Sequence, residues 1–113
     1  MQMVNTPKEV PEKGFYYHYK HDPSGAFNYY AYEVLGVGHH TEDDRRPIDE
    51  HMVVYRPIYE ASVYKAGKLF DIRPLSMFLE KVTKDGKTFD RFQKITDPEL
   101  ISKLEKIRDE MYK

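Results

Sequence analysis

Arginines stand at or near the ends of three strand-like runs: Arg56 closes Met52-Val53-Val54-Tyr55, Arg73 closes Leu69-Phe70-Asp71-Ile72, and Arg91 precedes Phe92. A guanidinium presents its donors as a rigid fork that fits a carboxylate or phosphate through paired hydrogen bonds, and it stacks readily on tyrosine. Gathered at one end of a fold, such groups would hold an anion. The ligand-binding candidates are therefore Arg56, Arg73, His40, His18, Tyr55 and Glu33. The competing reading is structural: Arg56 and Arg73 pair with Glu33, Asp71 or backbone carbonyls while their stems pack on tyrosine, the commoner fate of such arginines.

Other chemistries find less support. His18, His39, His40 and Glu42 suggest a metal site, but adjacent histidines on an extended chain point to opposite faces. No metal, cofactor or catalytic residue is assigned. Ser24, Ser62 and Ser76 lack a nucleophile-elbow context, and no Gly-rich phosphate loop opens a helix. Glu33 with His40 would make an acid and base pair for a small hydrolase or lyase, a pairing that many unrelated chains contain. Tyr17, Tyr19, Tyr32, Tyr55 and Tyr59 would stack single-stranded nucleic acid or line a groove for a proline-rich peptide if exposed. No dense basic run accompanies them, so nucleic acid is disfavoured and a place in the core or at its boundary is the favoured reading.

Composition sets the frame. The chain has 113 residues, enough for one domain plus an appendage, and its net charge of −1 creates no global field for a polyanion or membrane surface. It has no cysteine, which removes disulfides and thiolate chemistry and suits a reducing compartment. Without a long apolar run or the basic and apolar regions of a signal peptide, a cytoplasmic location is expected.

The elements that must position these residues read as mainly β. Residues 1–13, with Pro7 and Pro11 among charges, read as a flexible arm. Strands are predicted at Phe15–Lys20, Asn28–Val37 and Met52–Arg56, with Gly36 and Gly38 marking a bulge or bend. Residues 60–68 read as a short irregular strand and a turn. Leu69–Arg73 alternates so that Phe70 and Ile72 face inward and Asp71 and Arg73 outward, and Pro74 opens a helical turn. Asp85-Gly86 signals a hairpin between Leu79–Thr83 and Thr88–Phe92. From Asp97 the period changes: Leu100, Leu104, Ile107 and Met111, widened by Ile101, make an amphipathic helix that must dock on the domain or on a second copy. Short strands with glycine corners predict a small antiparallel barrel of five to six strands over 14–95, with an added C-terminal α-helix over 96–113.

Tyr17-His18-Tyr19-Lys20, Tyr32-Glu33-Val34-Leu35-Gly36-Val37, His40, Glu42, Val53-Val54-Tyr55-Arg56-Pro57-Ile58-Tyr59, Arg73-Pro74-Leu75-Ser76-Met77-Phe78 and Arg91-Phe92 together resemble the domain of unknown function family 1653. The resemblance runs from Gly14 to Phe92 and implies a small bacterial protein with an SH3-like barrel. It implies no activity. Where that family has Arg followed by His after the second strand, this chain has His39-His40, and the segment Lys20 to Phe27 replaces a tight Lys-Gly turn. The expectation is a non-enzymatic binding module that recognises an anionic group on a peptide, nucleotide or nucleic acid. The alternatives are an assembly protein that dimerises through the C-terminal helix and the small hydrolase or lyase.

Overall fold

The computed structural model describes residues 10–39 and 51–113. The candidate ligand His40, with Glu42, falls outside them. An antiparallel sheet of five strands carries the fold, in the order β4-β3-β2-β1-β7. Its strands are β1 (Gly14–His18), β2 (Ala31–His39), β3 (His51–Pro57), β4 (Asp71–Pro74) and β7 (Phe92–Lys94). The short helices α1 (Ser62–Lys65) and α2 (Leu75–Phe78) flank β4, and α3 (Pro98–Met111) ends the chain. A separate two-stranded hairpin joins β5 (Lys81–Lys84) to β6 (Lys87–Asp90). The mainly β class and the added helix agree with expectation; the strands form an open sheet and a hairpin, and closure into a barrel is not seen.

Register decides which face each side chain takes. Glu33 lies opposite both Phe15 and Arg56, while Val34 lies opposite Tyr55 and Val53 lies opposite Arg73. Since directly opposed residues share a face, Glu33 and Arg56 occupy one side of the sheet and Tyr55 and Arg73 the other. The first side is covered by α3: Phe15, Ala31, Ile58, Ile95 and Leu104 form its buried cluster. The second is aromatic, with Tyr16, Tyr55, Phe78 and Phe92 buried among Val34, Val53 and Leu75. Edge-to-face contacts join Tyr16, Tyr55 and Phe92 to their neighbours, and Phe78 stacks on Phe92 at 4.2 Å.

Local signals explain the elements. Asp97 accepts a hydrogen bond from the Glu99 amide at 3.1 Å and Pro98 takes the first helical turn, so α3 starts where capping chemistry predicts. Its apolar stripe docks on its own sheet, with Leu104 fully buried. Asp85 and Gly86 both have positive φ, 53° and 76°, which is the turn their pairing demands. The predicted bulge is present as a register shift between Val34 and Gly36.

Two expectations are corrected. Residues 60–68 contain the helical turn α1 rather than a strand. Around β4 the predicted faces are reversed: Phe70 and Ile72 are exposed, at 55% and 64%, whereas Asp71 and Arg73 sit half-buried against the aromatic side. The cause is the facing surface. Ile72 opposes Val54, which opposes Gly36, and a Cβ on Gly36 or Gly38 would meet nothing within 4 Å. On that side Ile72 has Val54 beside it but only bare glycine beyond, whereas the opposite side meets the tyrosine layer.

Candidate functional site

On the helix-covered face, Glu33 is the buried centre of an ion-pair network. Its Oε1 accepts from Arg56 Nε and Nη2, each at 2.9 Å, and its Oε2 accepts from Arg108 Nη1 at 2.8 Å. Arg56 lies 4.0 Å from the centre of the Tyr112 ring, and Arg108 lies over Phe15. The Tyr112 hydroxyl donates to the Pro57 carbonyl at 2.6 Å. Arg56 therefore takes the structural fate: carboxylate, ring and helix occupy its donors, and Arg108 supplies a partner that the sequence did not reveal. A spacing of 75 residues separates Arg108 from Glu33, so only the helix's docking brings them together.

The aromatic face disposes of its arginines differently. Arg73 comes off the edge strand β4, and its Nε donates to the Tyr55 hydroxyl at 3.2 Å with the guanidinium over the Phe92 ring. No carboxylate among the described residues lies within ion-pair distance of it. Arg91 stands at the break between β6 and β7, held from the main chain by Glu80 O and Tyr19 N. Among the described residues its side chain forms an ion pair with the half-exposed Glu80, at 3.4 Å, and its buried Nε has no hydrogen-bond partner. Buried donors of that kind are rare.

His18 completes the group. Its ring packs edge-on to Phe92 at 5.1 Å and against Tyr30 at 5.7 Å. Burial, then the nearby charges of Arg73, Lys20 and Arg91, push its pKa down to about 4. The Lys20 amide donates to Nδ1 at 3.2 Å, so the neutral ring carries its proton on Nε2. Asp71 lies across from Tyr55. Burial raises its pKa while Arg73 opposes that rise, and no hydrogen-bond or ion-pair partner of its carboxylate is found among the described residues.

The six candidates thus separate. His18, Tyr55 and Arg73 converge; Glu33 and Arg56 pair on the reverse side; His40 lies outside the described residues. Arg91, named in the sequence as one of three strand-end arginines, acts electrostatically on the same imidazole, and Asp71, read there both as an outward charge and as a possible partner of Arg56 or Arg73, forms neither ion pair among the described residues. Two clefts adjoin the cluster. One of about 380 Å³ runs past His18 between Tyr19 and Phe89, and another of about 410 Å³ lies along Tyr16, Phe78 and Phe92. Arg73 and Arg91 line neither of these two clefts. Among the described residues no three His, Asp or Glu side chains gather as a metal site, and no helix is long and apolar enough to cross a membrane.

Residues 14–94 match the model of a family described as a protein of unknown function, DUF1653, and the chain belongs to that family. No curated protein and no solved structure matches it. The matched span includes every residue of the aromatic face discussed above and ends before α3.

Proposed function

We propose that the protein is a non-enzymatic binding module that recognises an anionic group on the aromatic face, through Arg73 and Arg91 with His18 and Tyr55. One observation carries the reading: the Arg73 guanidinium is held by the Tyr55 hydroxyl and the Phe92 ring, and no carboxylate among the described residues lies within ion-pair distance of it. Donors held in place by rings and backbone lose little freedom on meeting a phosphate or carboxylate. The Arg56 side of the sheet serves this face by fixing the helix behind it.

The alternatives lose their motivating features. The stripe of α3 that would pair two copies is packed on its own sheet, and Glu33 as an acid or base is clamped between guanidinium groups.

Inorganic phosphate added to labelled protein tests the reading. Resonances of His18, Tyr55, Arg73 and Arg91 are expected to move with millimolar affinity, and the His18 pKa to climb from about 4 as the anion offsets the two arginines. Arg73→Ala abolishes the response and Arg56→Lys leaves it intact. A His18 pKa indifferent to phosphate, with no shifts at these residues, overturns the reading.

A further inference from the structure

The aromatic face continues past the arginines, and its next part has a different character. Tyr30 adopts φ 62°, a left-handed conformation that is strained for a bulky residue. Surrounding bonds impose it: His18 N donates to Tyr30 O, Ala31 N to Asn28 O, and Asn28 Nδ2 to Ile58 O. Its consequence is positional. Consecutive side chains on a strand point apart, yet the rings of Tyr29 and Tyr30 lie 4.6 Å from each other. Both rings also meet Tyr59, at 5.2 and 5.7 Å. Tyr29 remains 48% exposed, so the trio presents a ring to solvent.

Between this trio and the cations stands Tyr32. Its hydroxyl shares a hydrogen bond of 2.6 Å with that of Tyr59, and its ring meets Tyr55 at 5.4 Å. Tyr55 in turn holds Arg73. Asp71 is close enough to act electrostatically on Tyr32, Tyr55 and Tyr59 alike. A stacking ring, a carboxylate with no hydrogen-bond or ion-pair partner among the described residues, and the Arg73 guanidinium thus lie on the same face, with Tyr32 and Tyr55 between ring and cation.

We infer that the ligand of this face is a nucleoside monophosphate, an inference resting on the anion reading above: its base stacks at Tyr29 and Tyr59, its ribose hydroxyls donate to Asp71, and its phosphate accepts from Arg73 and Arg91. Each contact has its own chemistry. Bases stack on exposed aromatic rings without needing a particular sequence. A carboxylate accepts from a ribose diol, as acidic residues do in dinucleotide sites.

Calorimetric titrations with AMP, UMP, ribose 5-phosphate, adenosine and inorganic phosphate test the inference. At least one nucleotide is expected to bind about tenfold or more tighter than ribose 5-phosphate, from stacking. Tyr29→Ala, with Tyr29→Leu as a second variant that keeps apolar bulk, should erase that advantage and leave phosphate binding unchanged. Asp71→Asn should weaken the nucleotide about tenfold without weakening inorganic phosphate, since a hydrogen bond to a charged acceptor is stronger than one to a neutral amide. Upfield shifts of the base protons in the wild-type complex would report stacking directly. Equal affinity for AMP, UMP and ribose 5-phosphate, or for AMP and adenosine, overturns the nucleotide assignment while phosphate binding keeps the anion reading standing. Failure of every phosphate-bearing probe removes both.

Discussion

Arg56 and Arg73 leave adjacent strands of one sheet, yet the first guanidinium ends against a buried carboxylate and the second against a phenol. The difference follows from what covers each face. Where α3 excludes water, an unpaired charge would be costly, and Glu33 is shared by two arginines. On the aromatic face Arg73 meets the Tyr55 hydroxyl and the Phe92 ring, and Arg91 meets the half-exposed Glu80. One face commits its charges to holding the helix; the other leaves Arg73 half-buried with a phenol, and no carboxylate among the described residues, as its hydrogen-bond partner.

The contrast is most easily broken at Glu33. Glu33→Ala strands Arg56 and Arg108 beneath the helix and should cost about 3–5 kcal/mol in urea unfolding; a loss below about 1 kcal/mol would mean that the network is not the fastening it resembles. Leu104→Ala empties the centre of the helix contact and should cost about 3 kcal/mol, with the near-ultraviolet dichroism of Tyr112 altered. Both variants should still shift on adding phosphate wherever they remain folded.

Acid provides a milder probe of the other face. His18 titrates near 4 in the folded protein against 6.5 in the unfolded chain, so the unfolded state takes up the proton first. The resulting stability is fully present above pH 6.5 and is lost as pH falls through 4, an effect of about 1 kcal/mol after solvent screening. His18→Gln should flatten that part of a stability profile measured from pH 7 to 4. The smallest expected effect sharpens the comparison most: Arg73→Ala should change stability by about 0.5 kcal/mol or less while removing phosphate binding.

Much of the fold was legible in the residues. Asp97-Pro98, Asp85-Gly86 and the glycines after Leu35 specify a cap, a turn and a bulge through local backbone chemistry, and each feature is where that chemistry puts it. The face of β4 was not legible, because alternation shows which residues share a side but not which side is packed. Ile72 is exposed owing to Gly36 and Gly38 two strands away, a fact of register. The site divided in the same manner. Tyr55, His18 and Arg73 drew attention by type and place, but the partnership of Glu33 with Arg108 depends on a contact 75 residues apart. Tyr30 gave no signal, since nothing in Tyr29-Tyr30-Ala31 requires a left-handed backbone.

Arg91 occupies the junction at which the chain leaves the hairpin and enters the main sheet. Its amide is tied to Glu80 on the hairpin side, and its carbonyl to Tyr19 on the sheet side. The residue thus ties two sheets together through its main chain while its side chain carries a charge. A substitution that removes the guanidinium leaves both of those main-chain bonds available, so the cation can be deleted without untying the hairpin from the sheet.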